Sequence, residues 1–281
     1  TIGWELSLGW NDRLENGFSY WVKGVLSDYQ ATITKYAGND AGFYSQSDGD
    51  GKYYVGQKIG EIWGYHSNGL FQSDDEAATI DQSELYAGKW GAGDVKYEDL
   101  DGDGKITKGE ETIYNPGDKS IIGNKTPRYQ FGITVGFDYK NFDFEMFWQG
   151  TGKRDYMLSG AQFWGFTSQW DVPYTPALDY WTETNTDAYF PRPGWQNGGN
   201  RVTSDRYLQS AAYGRLKNLT VGYTIPKNLT TKWGISRLRL YVTGENLLTI
   251  TPLNDAFDPE TLGGLTYPIN RKVAIGLNLT L

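Results

Sequence analysis

The chain has 281 residues and a formal net charge of −8, from 26 Lys and Arg against 34 Asp and Glu, a balance that excludes a general nucleic-acid binder. With no Cys and a single His, it has no disulfides, no thiolate chemistry and no multi-histidine zinc site; a His-dependent triad is not expected, and His66 reads as a loop residue. No run of about eighteen apolar residues is present, so no transmembrane helix is expected, but this test is blind to barrels; the 21 Tyr, 11 Trp and 36 Gly suit aromatic girdles, strands and turns, and equally a carbohydrate-binding β-protein.

In chain order, the first period-two pattern lies near residues 4 to 13 (Trp4, Leu6, Leu8, Trp10). The turn Leu14-Glu15-Asn16-Gly17 joins it to a second near 18 to 26 (Phe18, Tyr20, Val22, Leu26). A long connection, 28 to 128, follows. Residues 129 to 139 alternate again (Tyr129, Phe131, Ile133, Val135, Phe137, Tyr139), and after Lys140-Asn141 so do Phe142, Phe144, Met146 and Trp148. After a second long connection, 150 to 211, a third hairpin runs from 212 to 225, turns through Pro226 to Ile235, and returns over 236 to 248. A third connection, 249 to 270, leads to the terminal strand, 271 to 281, whose Val273, Ile275, Leu277, Leu279 and Leu281 alternate with small or polar residues.

About ten residues of strict alternation match a tilted strand that crosses a bilayer, and short and long connections alternate throughout, as they do in an outer-membrane barrel with short periplasmic turns and long extracellular loops. The expected fold is therefore all-β, part of a transmembrane antiparallel barrel. Seven strands do not close a single-chain bacterial barrel, so the remaining strands, like the targeting signal, are expected outside these residues.

The sharpest local motif is D-L-D-G-D-G-K-I-T-K-G-E, Asp99 to Glu110, which fits a twelve-residue calcium loop. Asp99, Asp101 and Asp103 take positions 1, 3 and 5, and Gly104 the sharp turn at 6. Lys105 offers its carbonyl at 7, Thr107 or its water serves position 9, and Glu110 closes the site. Residues 93 to 98 and 115 to 118 make poor flanking helices, so the motif reads as a calcium-stapled surface loop and not as an EF-hand sensor. Ser47-Asp48-Gly49-Asp50-Gly51 lacks the rest of the pattern and reads as a turn.

Several runs together resemble the C-terminal barrel of SusC/RagA-like TonB-dependent transporters. They are G-Q-K-I-G-E-I-W-G-Y-H-S-N-G-L-F-Q (Gly56 to Gln72), D-V-K-Y-E-D-L-D-G-D-G-K-I (Asp94 to Ile106), I-I-G-N-K-T-P-R-Y-Q-F-G (Ile121 to Gly132), R-Y-L-Q-S-A-A-Y-G-R-L-K-N-L-T-V-G-Y (Arg206 to Tyr223), L-R-L-Y-V-T-G-E-N-L-L-T (Leu238 to Thr249) and F-D-P-E (Phe257 to Glu260). The resemblance implies about seven strands of a plugged barrel of about 22, in the outer membrane of Bacteroidota-type bacteria. It also implies a SusD-like surface lipoprotein as partner and TonB-driven import of oligosaccharides or peptides. The plug and the TonB-contacting segment do not occur in these residues, and Leu281 stands where an aromatic is common in outer-membrane assembly signals.

On this reading the long loops meet the lipoprotein, the substrate and, at their base, outer-membrane lipid. Trp164, Trp170, Tyr180 and Trp181, in the aromatic-rich segment 160 to 200, are candidate substrate contacts; packing of the loop against itself is the competing role. Two functions from other classes remain: a secreted calcium-dependent carbohydrate-binding or adhesive β-protein, and a glycoside hydrolase. The second needs a paired acid and base, and the best acidic cluster is already explained by calcium, so no catalytic residue is assigned.

Overall fold

The computed structural model describes residues 1–44, 53–262 and 267–281; the turn expected at Ser47 to Gly51 lies outside them. Seven strands form one antiparallel sheet: β1 (Ile2–Arg13), β2 (Ser19–Gln30), β3 (Arg128–Tyr139), β4 (Phe142–Lys153), β5 (Tyr213–Thr224), β6 (Arg237–Ile250) and β7 (Lys272–Thr280). Their order in space is their order in the chain, an up-and-down meander. At about 3.3 Å per residue, a 12-residue strand such as β3 reaches across a bilayer even when steeply tilted.

Register sorts the sequence into two faces. One row crosses the sheet as Trp10, Val22, Val135, Met146, Leu219, Gly244 and Val273, and the next as Tyr20, Phe137, Phe144, Val221, Val242 and Ile275. The opposite face carries rows such as Lys23, Thr134, Phe147, Asn218, Glu245 and Lys272. The apolar face is uncovered: Leu8 is 64% exposed, Val273 71% and Ile275 83%. A sheet in water buries such a face, whereas a barrel wall in lipid presents it.

One irregularity interrupts the rows. Between Leu216 and Asn218, β5 carries one more residue than β4, and β6 carries one more than β5; Asn246 of β6 takes up the difference with φ 52°. At the short-turn end, rings collect in a belt. Phe18 stacks on Phe137 at 5.5 Å between centroids, Phe137 on Phe144 at 5.1 Å, and Phe142 meets Tyr223 at 4.7 Å. The β1–β2 turn there uses Gly17 at φ 84°, a conformation that a side chain would strain.

The hydrophobic core lies in the long connections, at the other end of the sheet. Tyr65, Tyr97 and Ile106 from the first connection, Phe163, Trp164, Trp181, Phe190 and Tyr207 from the second, and Leu253 and Leu262 from the third belong to one buried cluster. Three two-stranded pairs brace it: Glu61–Tyr65 with Lys119–Asn124, Ser67–Leu70 with Val95–Tyr97, and Asp155–Met157 with Leu208–Ser210. The three connections therefore form one cap.

Candidate functional site

The acidic loop folds as its residue types dictate. Asp99 accepts hydrogen bonds from the Gly102 and Gly104 amides at 2.6 and 2.8 Å, and Asp103 accepts one from the Lys105 amide at 2.8 Å. Gly104, at φ 80°, makes the reversal. These turns bring Asp99, Asp101 and Asp103 together, with one carboxylate oxygen from each within 4.8 Å of the others. An amide hydrogen bond from Asp103 draws the Asp101 pKa down, but partial desolvation and the neighbouring carboxylates of Asp103, Asp118 and Asp99 outweigh it and leave the group raised. These three oxygens are the groups that could hold a hard cation such as Ca²⁺, which takes six to eight oxygens in all.

The other expected ligands are placed less tightly. Lys105 is exposed and follows the turn with its amide held by Asp103, so its carbonyl is the group available to a cation. Thr107 is fixed through its backbone, its amide on Asp118 at 2.7 Å and its carbonyl accepting from the Asp118 amide at 3.1 Å. Glu110 is not among the clustered carboxylates; its amide bonds the Asn115 carbonyl at 3.0 Å in a separate reversal. Sequence reading missed Asp118, which is fully buried and whose two oxygens clasp the Leu100 and Thr107 amides across the loop.

The aromatic candidates divide by burial. Trp164 and Trp181 lie in the cap core, Trp164 edge-on to Tyr207 at 4.5 Å, and Tyr180 packs partly buried against the same cluster. Trp170 is 83% exposed, and Val172, Tyr174 and Leu178 beside it are exposed too. Of the four, only Trp170 is largely exposed.

His66 is a loop residue with more work than a loop position suggests. Its Nδ1 lies 2.7 Å from Asp205 Oδ2 and its Nε2 2.7 Å from Ser120 Oγ, and Asp205 also accepts from the Ser67 amide at 3.0 Å. The chain of bonds has the order of a nucleophile, base and orienting acid. Neither His66 nor Ser120, however, lines the cap cavities of about 350 and 380 Å³, and the bonds join three distant segments as a clasp.

A second clasp ties the cap to the sheet. Arg215 of β5, 2% exposed, reaches Asp258 at 2.6 Å and Glu260 at 3.2 Å, and Lys217 reaches Glu260 at 3.1 Å. The Phe257 to Glu260 run thus folds back onto the polar face of the sheet beside the bulge.

No family model matches the chain. The chain is 34% identical over 245 residues to "TonB-dependent receptor P3" of Formosa agariphila, a match covering 80% of this chain and 22% of that protein. It is 26% identical over 190 residues to "TonB-dependent receptor SusC" of Bacteroides thetaiotaomicron, covering 65% of this chain and 17% of that protein. It superposes on a solved structure of the RagAB peptide transporter with a TM-score of 0.72 at 19% identity, over 99% of this chain and 29% of that one. The chain thus spans less than a third of the length of the proteins it matches.

Proposed function

The chain is a segment of a SusC/RagA-like TonB-dependent transporter barrel, and we propose that the protein containing it imports a nutrient across the outer membrane under TonB drive. The observation that carries this reading is the continuous apolar face of the seven-strand sheet, exposed outward while every long connection packs into one cap at one end. In this reading the short-turn end faces the periplasm and the cap faces outward.

The partner is a SusD-like surface lipoprotein meeting the cap. The exposed Trp170, Val172, Tyr174 and Leu178 supply apolar area suited to such a contact, or to an arriving substrate. The cargo is an oligosaccharide or a peptide. Asp99, Asp101 and Asp103, with backbone oxygen from Lys105, would hold Ca²⁺, which would neutralise the acidic loop and hold the cap's shape; no covalent chemistry is assigned to it.

The test is growth of the native bacterium with and without the gene on single glycans and on peptide mixtures, repeated without TonB. Loss of growth on one cargo class in both strains supports import; unchanged growth on every source, with the protein found outside the membrane fraction, rejects it.

A further inference from the structure

The polar face of the sheet changes character along its length. At the short-turn end, Asp138, Asp143, Glu145, Arg237 and Arg239 surround a hollow of about 310 Å³. At the cap end a second hollow, of about 280 Å³, has no charged side chain in its lining.

Register builds the second hollow. Ser27, Gln130, Thr151 and Tyr213 stand in one row across β2 to β5, and Val25, Gly132 and Gln149 in the next. That second row continues to Arg215, whose charge is sealed against Asp258 and Glu260. Glu5 on β1 and Lys153 on β4 flank the hollow without lining it. Its floor is apolar: the Phe147 ring reaches over Gly132, where a Cβ would stand 3.2 Å from the ring and 3.1 Å from Val25 Cγ2. The backbone of Gly132 is not left-handed, so the missing side chain serves the close approach of that ring.

Around the floor the groups on offer are amides and hydroxyls. Among the described residues the side chains of Ser27 and Gln130 make no hydrogen bond, and the Gln149 amide lies beside the Tyr213 hydroxyl. Each amide or hydroxyl both donates and accepts, which matches the adjacent hydroxyls of a sugar, and an aromatic face matches the C–H face of its ring. The charged ends of a peptide find no opposite charge in this lining, and stripping them of water without one is costly.

We propose that this hollow is a cargo subsite for a neutral oligosaccharide, with Phe147 under one sugar ring and Gln130, Ser27 and Gln149 bonding its hydroxyls. The subsite rests on the transporter reading, in which the polar face lines the barrel interior, and it selects between the two cargo classes.

For the test, the whole protein is extracted in detergent from its native membrane and applied to an array of immobilised neutral oligosaccharides, uronic-acid oligosaccharides and peptides of similar length. Retention on neutral oligosaccharides is expected, weakened about tenfold or more by Phe147→Ala and by Gln130→Glu. Glu145→Gln, at the charged end of the same wall, leaves retention unchanged, and all three variants reach the outer membrane in wild-type amount. Should Phe147→Ala fail to assemble, Gln130→Glu, which keeps the side-chain size, decides alone. Preference for uronic acids or peptides, retention on nothing, or wild-type retention by Gln130→Glu overturns the subsite. So does failure of Gln149→Cys to react with a water-soluble maleimide in the ligand-free protein, because the rest of the protein then covers this wall. Those results leave the transporter reading standing, since gene-dependent growth is measured separately; growth independent of the gene on every source removes both.

Discussion

Arg215 shows how one residue joins the cap to the wall. It is sealed in, whereas Asp258 and Glu260 keep some contact with water at 26% and 18% side-chain exposure. Removing the cation therefore lets the acids rehydrate, but removing the acids strands a buried charge. Arg215→Met is expected to cost about 3 kcal/mol and Asp258→Ala/Glu260→Ala more. Hydrogen exchange read as protection of residues 251 to 262, with β1 to β4 as internal reference, checks the order; equal losses contradict it.

Asp101→Asn/Asp103→Asn is expected to expose the 95 to 118 stretch to protease to the same degree as a chelator does in the wild type, because both remove one staple. Asp118→Ala is expected to add to the chelator effect, since its clasp on Leu100 and Thr107 needs no metal. Protease resistance that is the same with and without chelator would remove the calcium loop from the account.

Strands are the element at which sequence was most informative. Their period of two follows from backbone pleat alone, so Val273, Ile275, Leu277 and Leu279 announce a face without any knowledge of neighbours. Register gives that face its direction: Leu277 pairs with Leu240 in the apolar sheet, and Asn278 with Arg239 on the other side. Leu277→Arg is accordingly expected to cost about 2–4 kcal/mol if it lies near the bilayer midplane and to lower assembled protein in the outer membrane, while Asn278→Arg is tolerated. Equal assembly of the two variants would reverse the assigned phase.

The bulge at Leu216 to Asn218 was not legible, because an extra residue is defined only against the partner strands. Long-range clasps were hidden for the same reason. His66 finds Ser120 54 positions away and Asp205 139 away, and no spacing rule links them. Asp118 lies beyond the twelve-residue pattern that pointed to Asp99, Asp101 and Asp103. Composition marked the aromatic segment, but it did not distinguish Trp164 and Trp181, which pack, from Trp170, which faces out; that depends on which segments close over them.

At the scale of the whole molecule the usual arrangement is inverted. The regular sheet keeps its apolar side chains outside, and the irregular connections hold the core. Water as the only solvent does not account for that division, whereas a bilayer around the sheet and water around the cap do. The aromatic belt at the short-turn end fits the same boundary, with rings where the hydrocarbon meets the aqueous side.

The most direct test is nitroxide accessibility along β3 in the native outer membrane, using single cysteines introduced into the whole protein after replacement of any cysteine outside these 281 residues, which contain none. Labels at Phe131, Ile133, Val135 and Phe137 are expected to be relaxed by oxygen dissolved in lipid, while those at Gln130, Thr134 and Asp138 are shielded from it. Uniform exposure to a water-soluble relaxant at all seven positions would contradict a lipid-facing wall and return the protein to the soluble β-domains.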